Sequence, residues 1–189
     1  MTPVITEQWR DTFWRALVAE ETAAITVCLA ECRTARERTQ ALQSALLRAS
    51  LVGHLHIVQQ ILAWEVNPNT RDACGRTALH RAATHGHVPI ITHLIECGAD
   101  IDARDVLFRM TPLHIAARHR QTEAVICLLS LGADTEMQDV FGVTPGAIAR
   151  QMGDDDLVMV FRFPEMIRQK KRSRKNTRVK QPIGTSRES

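Results

Sequence analysis

The chain has 189 residues, 44% of them hydrophobic and 4% aromatic, with no tyrosine. That is enough to bury the core of one domain, and too few rings to build stacking platforms for bases. The formal net charge of +3 conceals a division: eight basic side chains, including all four lysines, crowd residues 168–180 without an acid, leaving sixteen basic against twenty-one acidic residues elsewhere. The five cysteines follow no Cys-x-x-Cys spacing, and the start lacks the basic flank and apolar run of a leader. Free thiols in a reducing compartment are therefore expected, and no apolar stretch is long enough to span a membrane.

Residues 1–10 are set apart as an N-terminal segment. From there the chain copies itself. Thr77-Ala78-Leu79-His80 returns as Thr111-Pro112-Leu113-His114 after 34 residues, and as Thr144-Pro145-Gly146-Ala147 after a further 33. Ser44-Ala45-Leu46-Leu47 precedes Thr77 by 33, and a fainter copy, carried by Phe13, Ala16, Ile25 and Leu29, precedes it by 66. Ala35-Arg36-Glu37 then resembles Ala103-Arg104-Asp105. Five units follow in order, 11–33, 44–68, 77–101, 111–135 and 144–161, with the outer two least regular because an end unit must face water on one side. The extra residue before Thr111 falls in 105–110, where a loop absorbs it.

Each unit reads as a helix–turn–helix. Thr77, Thr111 and Thr144 stand at N-cap positions, with Pro112 and Pro145 at the first helical position. Apolar residues then recur at helical spacing, as in Leu113, Ala116 and Ala117 followed by Val125, Leu128 and Leu129. Gly98 and Gly132 lie just past the second helices, where a left-handed cap is needed. Helices this short are marginal alone, so the units must stack, and the Asp-rich stretches between them read as protruding turns. Trp9, Phe13 and Trp14 either close the N-terminal end of the stack or dock a partner.

The block from Gly75 to His87 (Gly-Arg-Thr-Ala-Leu-His-Arg-Ala-Ala-Thr-His-Gly-His) and the run Thr111-Pro112-Leu113-His114-Ile115-Ala116-Ala117 resemble the ankyrin repeat family. The resemblance covers residues 11–163. It implies an all-α solenoid of about five units, the first and last being degenerate caps, with hairpin-like loops protruding as fingers. The sequence departs from the family where Arg120 replaces the glycine of Gly86, where Gly146-Ala147 replaces Leu-His, and where Trp64-Glu65-Val66-Asn67 replaces Gly-Ala-Asp. The resemblance further implies that His80 and His114 bond neighbouring loop backbone, and that partners bind at finger tips and first helices. On this chain those positions are Arg76, Thr84 and His85 in the third unit, with Ala73 and Cys74. In the fourth they are Leu107, Phe108, Arg109, Met110, Arg118 and His119. In the fifth they are Phe141, Val143 and Arg150, with Gln151. The apolar run Val106-Leu107-Phe108 is richer than a solvated turn needs, and Phe108 and Phe141 read either as partner anchors or as rings packed between adjacent fingers.

Little in the sequence invites catalysis. All eight histidines lie between 54 and 119, yet no His-Glu-x-x-His or Cys/His zinc spacing occurs, and there is no phosphate loop or nucleophile elbow. No metal, cofactor or enzymatic activity is expected. Asp154-Asp155-Asp156 reads as the acidic N-terminus of the last helix. Cys97 and Cys127 read as small core residues, and Cys74 as an exposed one.

Residues 164–189 read as a disordered basic tail. Lys170, Lys171, Arg172, Arg174 and Lys175 resemble a nuclear localisation signal; binding of nucleic-acid phosphate is the next reading and binding of anionic lipid the third. Ser173 and Thr177 follow basic residues, as kinase substrates do. The expected protein is a monomeric adaptor, scaffold or inhibitor of nucleus and cytoplasm, with one or more protein partners, a nuclear import carrier among them, and no membrane.

Overall fold

The computed structural model describes residues 6–19, 22–32 and 34–163. Helices α1 (Glu7–Val18) and α2 (Thr22–Glu31) form the first hairpin, and α3 (Ala35–Val52) and α4 (Leu55–Ala63) the second. The pairs α5 (Ala78–Thr84) with α6 (Val88–Glu96), α7 (Pro112–Arg118) with α8 (Thr122–Leu131), and α9 (Pro145–Gln151) with α10 (Asp155–Arg162) complete the row. The described residues form no strand, and one antiparallel bridge, Arg71 to Thr77, closes the base of a finger. α3, α5, α7 and α9 pack one on the next as an inner row, with α4, α6 and α8 in an outer row. This is a solenoid of helical hairpins.

The caps form as the sequence dictates. The Thr111 hydroxyl accepts the N–H of His114 and that of Thr144 accepts the N–H of Ala147, with proline at the first helical position in both. Asp154 caps α10 through the Leu157 N–H at 3.0 Å, followed by Asp155 and Asp156 in the first turn. Stacking then supplies what seven-residue helices lack. Ala82, Ala83, Ala116 and Ala117 are wholly buried between inner helices, where small side chains allow close approach, and Leu79, Leu94, Leu113 and Leu128 fill the hairpins.

Ten described residues have left-handed backbone, and all fall in three places of the repeat. Gly53, Gly86, Arg120 and Gly153 turn between the helices of a hairpin. Glu65, Gly98 and Gly132 follow the second helix, and Gly75, Arg109 and Gly142 sit in the fingers. Arg120, Glu65 and Arg109 hold φ of 54°, 58° and 55° where their counterparts are glycine, a conformation costing an L-residue about 1–2 kcal/mol. The stack imposes the turn even where the residue resists it.

Three expectations need correction. α1 begins at Glu7 and Trp9 is buried, so residues 7–10 belong to the first hairpin rather than to a separate segment. The likeness of Ala35-Arg36-Glu37 to Ala103-Arg104-Asp105, which leads into a finger, is misleading, because α3 starts at Ala35, well before residue 44, with Thr34 and Glu37 making a reciprocal capping box. Cys97 is exposed just past α6, whereas Cys28 and Cys32 are buried and Cys74 and Cys127 half-buried; all five are free thiols. The segment 164–189 lies outside the described residues.

Aromatic packing closes the N-terminal end. Trp9 stacks on Phe13 with centroids 5.1 Å apart, and its indole N–H donates to Glu31 at 2.9 Å. The Arg48 guanidinium lies 4.5 Å above the half-buried Trp14 and 3.4 Å from Asp11. At the other end, Phe161 fills the space over Gly146, which stands where Leu79 and Leu113 stand in the middle units.

Candidate protein-interaction surface

Three fingers project beside the inner helices, and each is closed at its base by one aspartate. Asp72 accepts the N–H groups of Cys74 and Arg76 at 2.8 and 2.9 Å. Asp105 does the same for Phe108 and Met110, and Asp139 for Phe141 and Val143, all between 2.8 and 3.1 Å. A backbone bond from each aspartate N–H, to Arg76, Met110 or Val143, completes the hairpin. Burial works against ionisation of Asp72, but the backbone N–H groups that donate to its carboxylate, together with the Arg81 guanidinium, hold the carboxyl below its usual range. The sequence reading missed these clasps. Their signal was present, since Asp72, Asp105 and Asp139 recur at the repeat spacing.

Histidines tie the second and third fingers to the inner helix that precedes each. His80 Nδ1 accepts the Thr77 N–H, which leaves Nε2–H to donate to the Met110 carbonyl at 3.0 Å. His114 repeats this with Thr111 and the Val143 carbonyl at 3.1 Å. Burial pushes both imidazoles below the ordinary histidine range, so both are neutral at pH 7. Adjacent fingers also bond to each other, Val106 N–H to the Cys74 carbonyl and Val140 N–H to that of Phe108. The fingers therefore form a continuous rigid edge.

On that edge the candidate residues separate. Leu107, Phe108 and Phe141 are 58%, 41% and 73% exposed, and the two rings lie 6.4 Å apart, in contact yet open to solvent. The rings pack against each other, as one of the two readings expects, and they remain exposed. Val106 and Val140 extend the patch, and Val140 escaped the sequence reading although it occupies the register of Val106. Arg109, Arg118, His85 and His119 are exposed, while Arg76, Thr84 and Val143 are half-buried. Burial, then the nearby Arg118 and His85, hold the His119 imidazole below its usual range.

Two candidates lie elsewhere. Met110 is turned inward, its sulfur 4.0 Å from the Arg118 guanidinium, because the returning arm of the finger must rejoin the core there. Arg150 holds the register of the buried Ala83 and Ala117. No unit follows it among the described residues, so it faces the C-terminal end and lines a groove of about 470 Å³ with Gly146, Val158 and Phe161. Toward the N-terminal half, the inner face opens into a groove of about 590 Å³ bordered by Arg10, Gln43, Arg48, Arg71 and Arg81.

A family model described as ankyrin repeats (3 copies) matches residues 16–105 and 46–139. The chain belongs to the ankyrin repeat family. Among curated proteins it is similar to the mouse inactive serine/threonine-protein kinase TEX14, 36% identical over 63 residues, which are 33% of this chain and 4% of that protein. It is also similar to the potassium channel KOR2 of Oryza sativa subsp. japonica, 38% identical over 60 residues, 32% of this chain and 8% of the channel. The match thus spans less than a tenth of either relative. Ankyrin repeats are protein–protein interaction modules and generally not catalytic, and this chain carries such a module. Among the described residues, no helix is long and apolar enough to cross a membrane, and no cluster of three or more His, Cys, Asp or Glu could hold a metal ion. Lys170, Lys171, Arg172, Arg174, Lys175, Ser173 and Thr177 lie outside the described residues.

Proposed function

We propose that the protein is a monomeric, non-catalytic adaptor, scaffold or inhibitor that captures a protein partner on its finger edge and inner helices. The observation carrying this reading is the exposed patch of Leu107, Phe108 and Phe141 on fingers clasped by Asp105 and Asp139. A rigid edge loses little conformational freedom on binding, and apolar side chains flanked by Arg109 and Arg118 have the composition of interface hot spots. The basic run Lys170, Lys171, Arg172, Arg174 and Lys175 supports recognition by a nuclear import carrier and residence in nucleus and cytoplasm, with phosphorylation at Ser173 or Thr177 lowering its charge.

Affinity capture with mass spectrometry, comparing the full chain, a chain lacking 168–180 and a Phe108→Ala/Phe141→Ala variant, tests this. Partners lost from the double variant are body partners, and those lost with the tail are tail partners. Capture by the double variant at unchanged affinity rejects the two anchors. A second reading, association with nucleic-acid phosphate through the tail, draws on its eight basic residues. It requires salt-sensitive binding that vanishes when 168–180 is deleted.

A further inference from the structure

Charge is sorted between the two rows of helices. The inner helices α3, α5, α7 and α9 contain six arginines (Arg36, Arg38, Arg48, Arg81, Arg118 and Arg150) and a single acid, Glu37, which is spent on the capping box of α3. The outer helices α4, α6, α8 and α10 contain Glu96, Glu123, Asp155 and Asp156 against Arg162 alone. Further acids, Asp100, Asp102, Asp134 and Glu136, sit in the turns that follow the outer helices. A body that is acidic in sum thus has basic inner helices from α3 to α7, beside an α1 in which Arg10 and Arg15 balance Glu7 and Asp11.

The acids that do reach this face leave cationic charge over. Asp72 is shared by Arg76 and Arg81, and Asp11 meets Arg48 at an exposed, weak contact. Arg10 and Arg118 form no ion pair among the described residues. Arg10 and Arg48 border the groove together with Arg71 and Arg81, and Arg118 continues the face at the register of Leu51, which also lines the groove. Beyond Arg118 come the apolar finger tips. Arg118 reaches the base of the finger that carries Leu107 and Phe108, 4.0 Å from the Met110 sulfur, so cation and apolar patch adjoin.

We propose that the inner face takes an acidic protein segment that also carries apolar side chains: carboxylates pair with Arg10, Arg48, Arg81 and Arg118, and the apolar side chains cover Phe108 and Phe141. The proposal rests on the protein-capturing reading above and adds the chemistry of the partner. Guanidinium groups meet carboxylates through two parallel N–H bonds, and a cationic groove in a low-dielectric wall raises the encounter rate of an acidic chain. A nucleic-acid backbone fits less well. Asp11 and Asp72 lie among the cations, and the apolar tips at the end of the face have no counterpart in phosphate.

The test uses the full-length protein with three probes: a Glu/Leu peptide, the matching Gln/Leu peptide and a duplex DNA oligonucleotide. Binding is measured by titration and mapped by amide shifts. The expected result is that the Glu/Leu peptide shifts amides of α3, α5 and α7, binds more weakly as salt rises, and loses about tenfold or more in affinity to an Arg10→Glu/Arg118→Glu variant. Both substitutions are at exposed positions, and retained amide dispersion confirms the variant's fold. Equal binding of the Gln/Leu peptide, shifts confined to 168–180, or tighter binding of the duplex at the same inner amides overturns the proposal. Should Phe108→Ala/Phe141→Ala abolish capture of a cellular partner while Arg10→Glu/Arg118→Glu leaves it intact, the acidic occupant is rejected and the protein-capturing reading survives. Capture indifferent to both variants rejects both.

Discussion

The first two hairpins and the middle of the stack reach the same packing by different means. Between α5 and α8 each inner helix is fastened to the next finger by a buried histidine, and each finger is clasped by an aspartate. The start of the chain has no such finger. α3 runs on where one would stand, and Trp9, Phe13 and Trp14 cover the end instead. Directional bonds hold the middle in register; area burial seals the end. Bulk can therefore replace polar connections at the first of the described hairpins.

The sharpest way to break this contrast is in the core. Leu113→Ala should cost about 2–5 kcal/mol and lower the urea midpoint of the whole array, because both neighbours of its hairpin lean on it. Phe13→Ala removes a comparable volume, yet amide exchange should accelerate chiefly in α1 and α2 while α5 to α8 keep their protection. Equal loss of protection in α7 would erase the distinction.

Next come the histidines. His80→Ala orphans the Met110 carbonyl and the Thr77 N–H, for an expected cost of about 2–3 kcal/mol in chemical denaturation. The same bonds predict a pH dependence. Folded-state imidazoles lie below the ordinary value, so the unfolded chain takes up protons first as pH falls. Their contribution is full above pH about 6.5 and is lost below it, by up to about 1.4 kcal/mol per pH unit for each histidine. Stability curves collected downward from pH 7 should show that slope, and it should flatten in a His80→Gln/His114→Gln variant.

Two smaller effects concern residues that work against the repeat. Ser50 is wholly buried at the register of Ala83 and Ala117, and its hydroxyl has no partner. Ser50→Ala should stabilise by about 1 kcal/mol. Glu65→Gly relieves a left-handed backbone and should raise the thermal midpoint by an amount equivalent to about 1 kcal/mol, less whatever entropy glycine adds to the unfolded chain. No change in midpoint for either would mean that the surrounding structure already relaxes around them.

Periodicity made the middle of this molecule readable. A spacing of 33 or 34 located the caps at Thr77, Thr111 and Thr144, the alanine interfaces and the loop that takes up one extra residue, because those features are dictated by neighbours a fixed distance away. It misled at Ala35-Arg36-Glu37, where three residues imitate a finger while Thr34 and Glu37 begin a helix. For the binding surface, the exposed phenylalanines were visible as apolar residues in a loop. The inward turn of Met110 was not, because it depends on which arm of the finger returns to the core. Arg150 was misplaced for a related reason: its register is buried in every unit except the last, on which no further unit stacks among the described residues.

The clasp at Asp105 has an implication for engineering. One side chain grips the N–H groups of both Phe108 and Met110 and the hairpin closes beneath them, so the tip between can lengthen, as the extra residue of this finger already demonstrates, without the helices registering the change. Foreign epitopes or recognition loops could be grafted at Leu107 onto a frame whose geometry is decided a few ångströms below.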